Sequence, residues 1–127
     1  MKFVAPQKLD GKRVLIVEDE MLIALLIEDF LTDIGCRTVA TCGSVQSALD
    51  AVRTQVFDLA ILDVNLAGEM AYPVAELLAE RNIPFLLLSG YGTEAIPLDH
   101  PEWKVCAKPF KGEELVKMLA VLVPVGR

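Results

Sequence analysis

The chain has no long hydrophobic run. Its longest, Met21 to Ile27, has seven residues and stops at Glu28-Asp29, far short of the ~18 residues a membrane span needs. Met1-Lys2-Phe3-Val4-Ala5-Pro6 carries no apolar h-region, so no signal peptide is expected. Basic residues are in deficit: 12 Lys and Arg stand against 18 Asp and Glu, for a net charge of -6. Phosphate backbones and anionic lipid surfaces need a basic face, so direct nucleic-acid binding and membrane binding are excluded as expected functions. Cysteines are few and odd in number: Cys36, Cys42 and Cys106, with no CxxC or His-rich spacing. That argues against a disulfide framework or a zinc site and for a reduced, cytoplasmic chain with small buried thiols. Histidine occurs once, and His100 reads as a loop residue, not a phosphodonor. No glycine-rich loop follows the first strand, where Val17-Glu18-Asp19-Glu20 stands, which argues against a nucleotide or flavin binder.

What is present is a core. In 127 residues, 54% are hydrophobic, enough for one ordinary domain and too apolar for disorder. Residues 1–10 read as an N-terminal arm ending in the turn Asp10-Gly11, and residues 11–127 as a single domain without an effector domain. Strands are expected at Lys12–Glu18, Arg37–Cys42, Asp58–Leu62, Pro84–Ser89 and Lys104–Ala107. The first is apolar on both faces, as a central parallel strand should be. Helices are expected from Asp19 or Glu20 to Ile34 with Gly35 closing it, from Ser44 as cap to Thr54, from Tyr72 to Arg81 with Pro73 in the first turn, and from Lys111 or Gly112 to Val123. Gly90 to His100, with two glycines and Pro97, has room for one or two helical turns around Thr93 to Ile96. Strands alternating with helices predict an α/β three-layer sandwich of flavodoxin-like (βα)5 type. The parallel sheet order would be 2-1-3-4-5, with the fourth helix short or irregular.

In such a sheet the carboxyl ends of the strands face one crevice. Here they end in Glu18-Asp19, in Asp63, in Ser89-Gly90 and in Lys108-Pro109. Three carboxylates form an all-oxygen site suited to a hard divalent cation, Mg²⁺ or Mn²⁺. A carboxylate can also be a nucleophile that forms an aspartyl-phosphate. Asp63, alone at a central strand tip, is the best candidate. Lys108 would supply positive charge to the phosphoryl oxygens and Ser89 a hydroxyl. Each residue alone has a plain reading as a cap, turn or loop; their joint placement does not. An aspartyl phosphatase would commonly have a second Asp two residues after the first, and that position is Asn65. A scaffold that is never phosphorylated would leave the acidic residues idle.

Val-Leu-Ile-Val-Glu-Asp-Glu at 14–20, Leu-Asp-Val-Asn-Leu at 62–66, Ser-Gly-Tyr at 89–91 and Lys-Pro-Phe at 108–110 resemble the receiver domain of bacterial two-component response regulators. The resemblance spans about residues 11 to 123. It implies that Asp63 takes a phosphoryl group from a sensor histidine kinase or a histidine phosphotransfer protein in a phosphorelay. It implies that Asp19 binds Mg²⁺, that Glu18 takes the other acidic position, and that the Asn65 backbone carbonyl completes the metal site. Ser89 and Lys108 would contact the phosphoryl group, and the Lys108-Pro109 peptide would be cis. Such a domain is not an enzyme in the usual sense: it catalyses its own phosphorylation and slow autodephosphorylation. Leu87-Leu88-Ser89-Gly90-Tyr91 is similar to the Phe-Ala-Thr-Gly-Tyr-type motif of an atypical, often stand-alone subgroup that works with HWE-type or related kinases.

Three positions depart from the family's usual pattern. Glu18 stands where an aspartate is usual, Ala67 where a proline is usual, and Val105 where an aromatic switch residue is usual. Tyr91 either replaces that aromatic or simply packs over its loop. Trp103 reads as an apolar plug or a partner contact. Met21 to Ile27 and Leu115 to Val123 are apolar nearly all round, where a surface helix should have a polar face. They lie either buried or as an exposed strip that docks a kinase helix pair or a second copy as a homodimer. Gly90 to His100 is expected to be mobile and ordered by Mg²⁺ or phosphorylation. Output would be a protein contact, or none if the domain is a phosphate sink.

Overall fold

The computed structural model describes residues 7–123. The first six residues of the expected arm, and the four residues after the last expected helix, lie outside that range. Gln7–Leu9 form a single 3-10 turn, and Leu9 is fully buried in the core beside Ile27, Leu31 and Val123. The arm is therefore part of the core from that point, held by the Cys36 thiol, which donates to the Leu9 carbonyl at 3.2 Å.

Five parallel strands form the central sheet: β1 (Arg13–Val17), β2 (Arg37–Cys42), β3 (Leu59–Asp63), β6 (Phe85–Ser89) and β7 (Lys104–Ala107). Their order is β2-β1-β3-β6-β7, which is the expected 2-1-3-4-5 once a small hairpin, β4 (Asn65–Leu66) with β5 (Glu69–Met70), is set aside. The runs Leu59–Asp63 and Phe85–Ser89 are buried at every residue. A strand covered on both faces must be apolar along its length, and these are up to their last residues, Asp63 and Ser89.

Helices α1 (Met21–Asp33) and α4 (Gly112–Leu122) cover one face; α2 (Val45–Thr54) and α3 (Tyr72–Glu80) cover the other. Ile27, Leu31, Leu115 and Leu119 pack on Ile16 and Ile61 on the first face. Ala48, Val52, Val74 and Leu78 pack on Leu15, Leu62 and Leu87 on the second. Each fully buried aliphatic side chain contributes roughly 1.5–3 kcal/mol. The two helices of the first face approach closely at Gly112, where a Cβ would overlap the Phe30 ring. Ser44 caps α2 reciprocally with Ser47, its hydroxyl accepting from the Ser47 N–H at 3.1 Å and its N–H donating back at 3.3 Å. The start of α1 is later than expected. Glu20 is its extended N-cap residue, because its N–H donates to the Glu18 carboxylate at 3.1 Å and holds the strand-to-helix turn open.

The hairpin was not expected. Its turn residues, Ala67 and Gly68, have φ of 53° and 96°, and the Gly68 N–H donates to the Asn65 side-chain oxygen at 2.7 Å. Two positive φ values in a two-residue loop match the twist of a tight hairpin. Proline, locked near −65°, cannot occupy position 67 in this conformation. The absence of the usual proline is thus required by this hairpin. Ala67→Pro should cost about 2 kcal/mol in urea unfolding, whereas Ala67→Gly should gain about 0.5 kcal/mol by relieving the left-handed strain.

Between β6 and β7 the chain forms a 3-10 turn at Gly92–Ala95 in place of a fourth full helix. Trp103 is buried, edge-on to the Phe85 ring at 5.2 Å and stacked under the His100 ring at 4.0 Å. It plugs the start of β7, as one of its two expected readings had it. His100 closes the loop over it. All three cysteines are buried and free. Burial pushes the Cys36 thiol up to about 11, which keeps it neutral and inert.

Candidate functional site

The strand register assembles the site. Val17 is paired with Leu62, so Glu18 and Asp63, one residue further on, are neighbours. Asp63 is paired with Leu88, and Ser89 with Ala107. Lys108 follows directly, its N–H donating to the Ser89 carbonyl at 2.9 Å. Each polar group is the first to follow, or the last to close, an apolar strand. The sheet geometry alone brings Glu18, Asp19, Asp63, Ser89 and Lys108 to one edge.

Asp63 is buried and held at both oxygens. Its Oδ1 accepts from the Asn65 N–H at 3.1 Å, and its Oδ2 from the Lys108 Nζ at 2.6 Å. The same ammonium lies 3.6 Å from Glu18 Oε1, an ion-pair distance but not a hydrogen bond. Burial lowers the Lys108 affinity for its proton, but the Asp63 and Glu18 carboxylates outweigh it and hold its pKa above the ordinary 10.5. Lys108 is therefore a fixed cation.

Glu18 is 3% exposed. Its Oε2 accepts from the Glu20 N–H, while its buried Oε1 has no hydrogen-bond partner. Burial pushes its carboxyl up to about 7, with the Asp63 carboxylate adding to the shift, and the Glu20 N–H and the Lys108 charge opposing it. One oxygen from each of Glu18, Asp19 and Asp63 lies within 4.8 Å of the others, and Asp19 is open to solvent. Three carboxylates against one ammonium leave excess negative charge. An orphaned buried oxygen aimed at that cluster fits a hard divalent cation.

Ser89 is buried, and its hydroxyl accepts from the Tyr91 N–H at 3.0 Å, leaving its own proton free to donate. Tyr91 is 76% exposed, and its side chain borders a cavity of about 280 Å³ that reaches Asp63 and Ser89. On the other side of Asp63 an open cleft runs between Asp19 and the Ala67-Gly68 turn, with Lys108 in its wall. Asn65 is the first residue of the hairpin and lines both spaces. The Lys108-Pro109 peptide is cis.

Sequence reasoning missed Tyr72. It was read only as the start of α3, yet its hydroxyl donates to the Ala95 carbonyl at 2.6 Å and its ring lines the cavity beside Asp63. No spacing signal joins residues 23 apart in this way. Val105 is half-buried against the α2/α3 side of the core, with no ring to offer.

A doubly wound five-stranded sheet with an acidic cluster, a lone aspartate and a lysine at its strand tips is the arrangement of a receiver domain. The chain belongs to the response regulator receiver domain family of two-component systems, whose profile matches residues 14–120. It is similar to SdrG of Sphingomonas melonis Fr1, whose solution structure is 42% identical and superposes with a TM-score of 0.78, covering 88% of this chain and 96% of that one. The BeF3-activated conformation of SdrG is 40% identical with a TM-score of 0.76, covering 91% and 98%. The transcriptional regulatory protein TcrA of Mycobacterium tuberculosis is 33% identical over 120 residues, 91% of this chain but 47% of that protein. The chain thus spans about half the length of that regulator. No helix among the described residues is long and apolar enough to cross a membrane.

Proposed function

We propose that this chain is a cytoplasmic phosphoacceptor in a two-component phosphorelay, charged on Asp63 by a histidine kinase, of HWE type or a relative, or by a histidine phosphotransfer protein. The observation that carries this is the Asp63 carboxylate at the β3 tip, 2.6 Å from the Lys108 ammonium and within the three-carboxylate cluster. An Asp63 oxygen attacks phosphorus, a P–O bond forms, the P–N bond of the donor breaks, and its electron pair leaves with the imidazole. Lys108 neutralises charge on the phosphoryl oxygens, and the free Ser89 proton donates to one of them. Glu18, Asp19, Asp63 and the Asn65 carbonyl would hold Mg²⁺ or Mn²⁺, which supplies further charge neutralisation. Water later attacks phosphorus and releases phosphate, so the domain consumes its own phosphoryl group and turns over no external substrate. The test is incubation with acetyl phosphate, with and without Mg²⁺. Acid-labile phosphate on the protein, dependent on the cation, is expected; none on the wild type would leave a pseudo-receiver scaffold.

The donor's docking face is proposed on α1. Met21 and Leu22 are 75% and 81% exposed, and Leu25 and Leu26 about half. On α4, Val121 is exposed, while Met118 and Leu122 are partly covered. The apolar strip thus belongs mainly to α1, beside a groove formed with Pro109 and Phe110. It lies next to the strand tips, where a histidine carried on a helix pair must approach. Leu22→Glu should slow transfer from a cognate histidine protein at least tenfold, since a charge would be desolvated in the contact. Uptake from acetyl phosphate should not change, because a small donor needs no docking face and Leu22 is 81% exposed. Equal transfer rates would remove α1 from the docking face; a change in dimer content instead would assign it to self-association.

A further inference from the structure

Residues 91–100 are nearly self-contained. They make their own turns, Glu94 N–H to the Tyr91 carbonyl at 3.3 Å, Ile96 to Thr93 at 3.1 Å and His100 to Pro97 at 3.0 Å. At its far end the Trp103 N–H donates to the His100 carbonyl at 3.1 Å and the His100 ring meets Glu102 at 3.4 Å; among the described residues, two hydrogen bonds tie the part from Tyr91 to Ala95 to the rest of the fold. One runs from the Tyr91 N–H to Ser89 Oγ at the pocket, and the other from the Tyr72 hydroxyl to the Ala95 carbonyl. Ala95 is buried and Tyr72 half-buried, whereas Tyr91 and Glu94 between the two ties are exposed. One cavity of about 280 Å³ is lined by the residues of both ties, Ser89 with Tyr91 and Tyr72 with Ala95, and by Asp63. The stretch is therefore a strap clamped at both ends, with room beneath it.

We propose that Tyr72 is a positioning residue that latches this strap, so that the state of Asp63 is read out through release or retention of the Tyr72–Ala95 bond. The inference rests on phosphorylation at Asp63. A phosphoryl group adds charge and acceptor oxygens at the cavity's Asp63 end. The Ser89 hydroxyl turns its proton toward it. The Tyr91 N–H, which uses the same oxygen, follows. A 3-10 turn held by two long bonds offers little slack, so the displacement reaches Ala95, where the Tyr72 hydroxyl is the one polar contact that opposes it. Val105 on the neighbouring strand has no ring to take part. Coupling of this kind is reciprocal: what the phosphoryl group does to the latch, the latch does to phosphoryl affinity.

Tyr72→Phe removes the hydroxyl and keeps the ring that packs on the core. Amide exchange is read at Glu94 to Ile96, with and without beryllofluoride and Mg²⁺, together with beryllofluoride affinity. In the wild type, beryllofluoride is expected to alter exchange there. In the variant without beryllofluoride, exchange should be about fivefold faster, the worth of one hydrogen bond. The further change on adding beryllofluoride should shrink by at least half, and beryllofluoride should bind severalfold tighter because no latch resists it. Faster exchange with an undiminished beryllofluoride response and unaltered affinity would make Tyr72 a structural anchor only and overturn the proposal. Unchanged exchange in both states would overturn it as well. Phosphoryl content from acetyl phosphate, measured on the same samples, separates this from failure of the function itself: no uptake by the wild type would sink both readings, whereas normal uptake with an unresponsive strap would sink only the latch.

Discussion

Asp63→Asn is expected to carry no acid-labile phosphate above background after incubation with acetyl phosphate and Mg²⁺, while its circular dichroism stays that of the wild type. The amide matches the carboxylate in size and keeps one oxygen, which can accept from the Lys108 ammonium or from the Asn65 N–H but not from both, where Asp63 now accepts them on separate oxygens at 2.6 and 3.1 Å. What it loses is the anionic nucleophile. A carboxylate forms a mixed anhydride with phosphate; a neutral amide at pH 7 does not. The effect is therefore an all-or-none loss of one covalent step, not a graded loss of binding. Asp19, which is exposed, and Glu18, which is buried, are the other carboxylates of the cluster. If Asp63→Asn retained half of the wild-type label, one of these two would have to be the acceptor, and adding Asp19→Asn or Glu18→Gln to Asp63→Asn would then show which.

The strand tips were legible because burial on both faces forces β1, β3 and β6 to be apolar up to their tips, so the first polar residue to end each run, Glu18, Asp63 and Ser89, marks the crevice. That reasoning located Glu18, Asp19, Asp63, Ser89 and Lys108 without any contact information. It could not reveal what depends on three-dimensional register. The β4–β5 hairpin has strands of two residues each, too short for any periodic pattern, and its turn places a non-glycine residue, Ala67, at positive φ. The Tyr72–Ala95 bond joins a helix start to a loop and has no local signature. The apolar circumference of α1 left two outcomes open, and packing decides between them. Ala24, Ile27 and Leu31 face the sheet, and the extra apolar residues Met21, Leu22, Leu25 and Leu26 have nothing left to cover them.

The acidic cluster should make stability depend on pH and on divalent cations together. Burial raises the Glu18 carboxyl from its ordinary 4.5 to about 7. Between those values the folded protein holds a proton that the unfolded chain has lost. The contribution of Glu18 is therefore fully present below pH 4.5 and is lost as pH rises through 7, about 3 kcal/mol in all. Asp58, whose pKa is held below the ordinary 3.8 by its side-chain bond to Arg13 against the opposing effect of burial, acts in the opposite sense but only in more acid solution. Without divalent cations the melting temperature should accordingly fall between pH 5 and pH 8. Adding 10 mM Mg²⁺ should then raise it by about 5–10 °C at pH 8, for a site near saturation, but by about 2 °C or less at pH 5, where a proton competes for Glu18. Glu18→Gln should flatten the metal-free profile, since the buried side chain is neutral at every pH, and should blunt the Mg²⁺ shift. A metal-free melting temperature equal at pH 5 and 8, or a Mg²⁺ shift of the same size at both, would mean that the buried Glu18 oxygen is not what the cation neutralises. Lys108 sharpens the comparison. It already supplies one positive charge 3.6 Å from Glu18, yet leaves the Glu18 pKa raised, so a second cation at the cluster would favour the ionised form of Glu18.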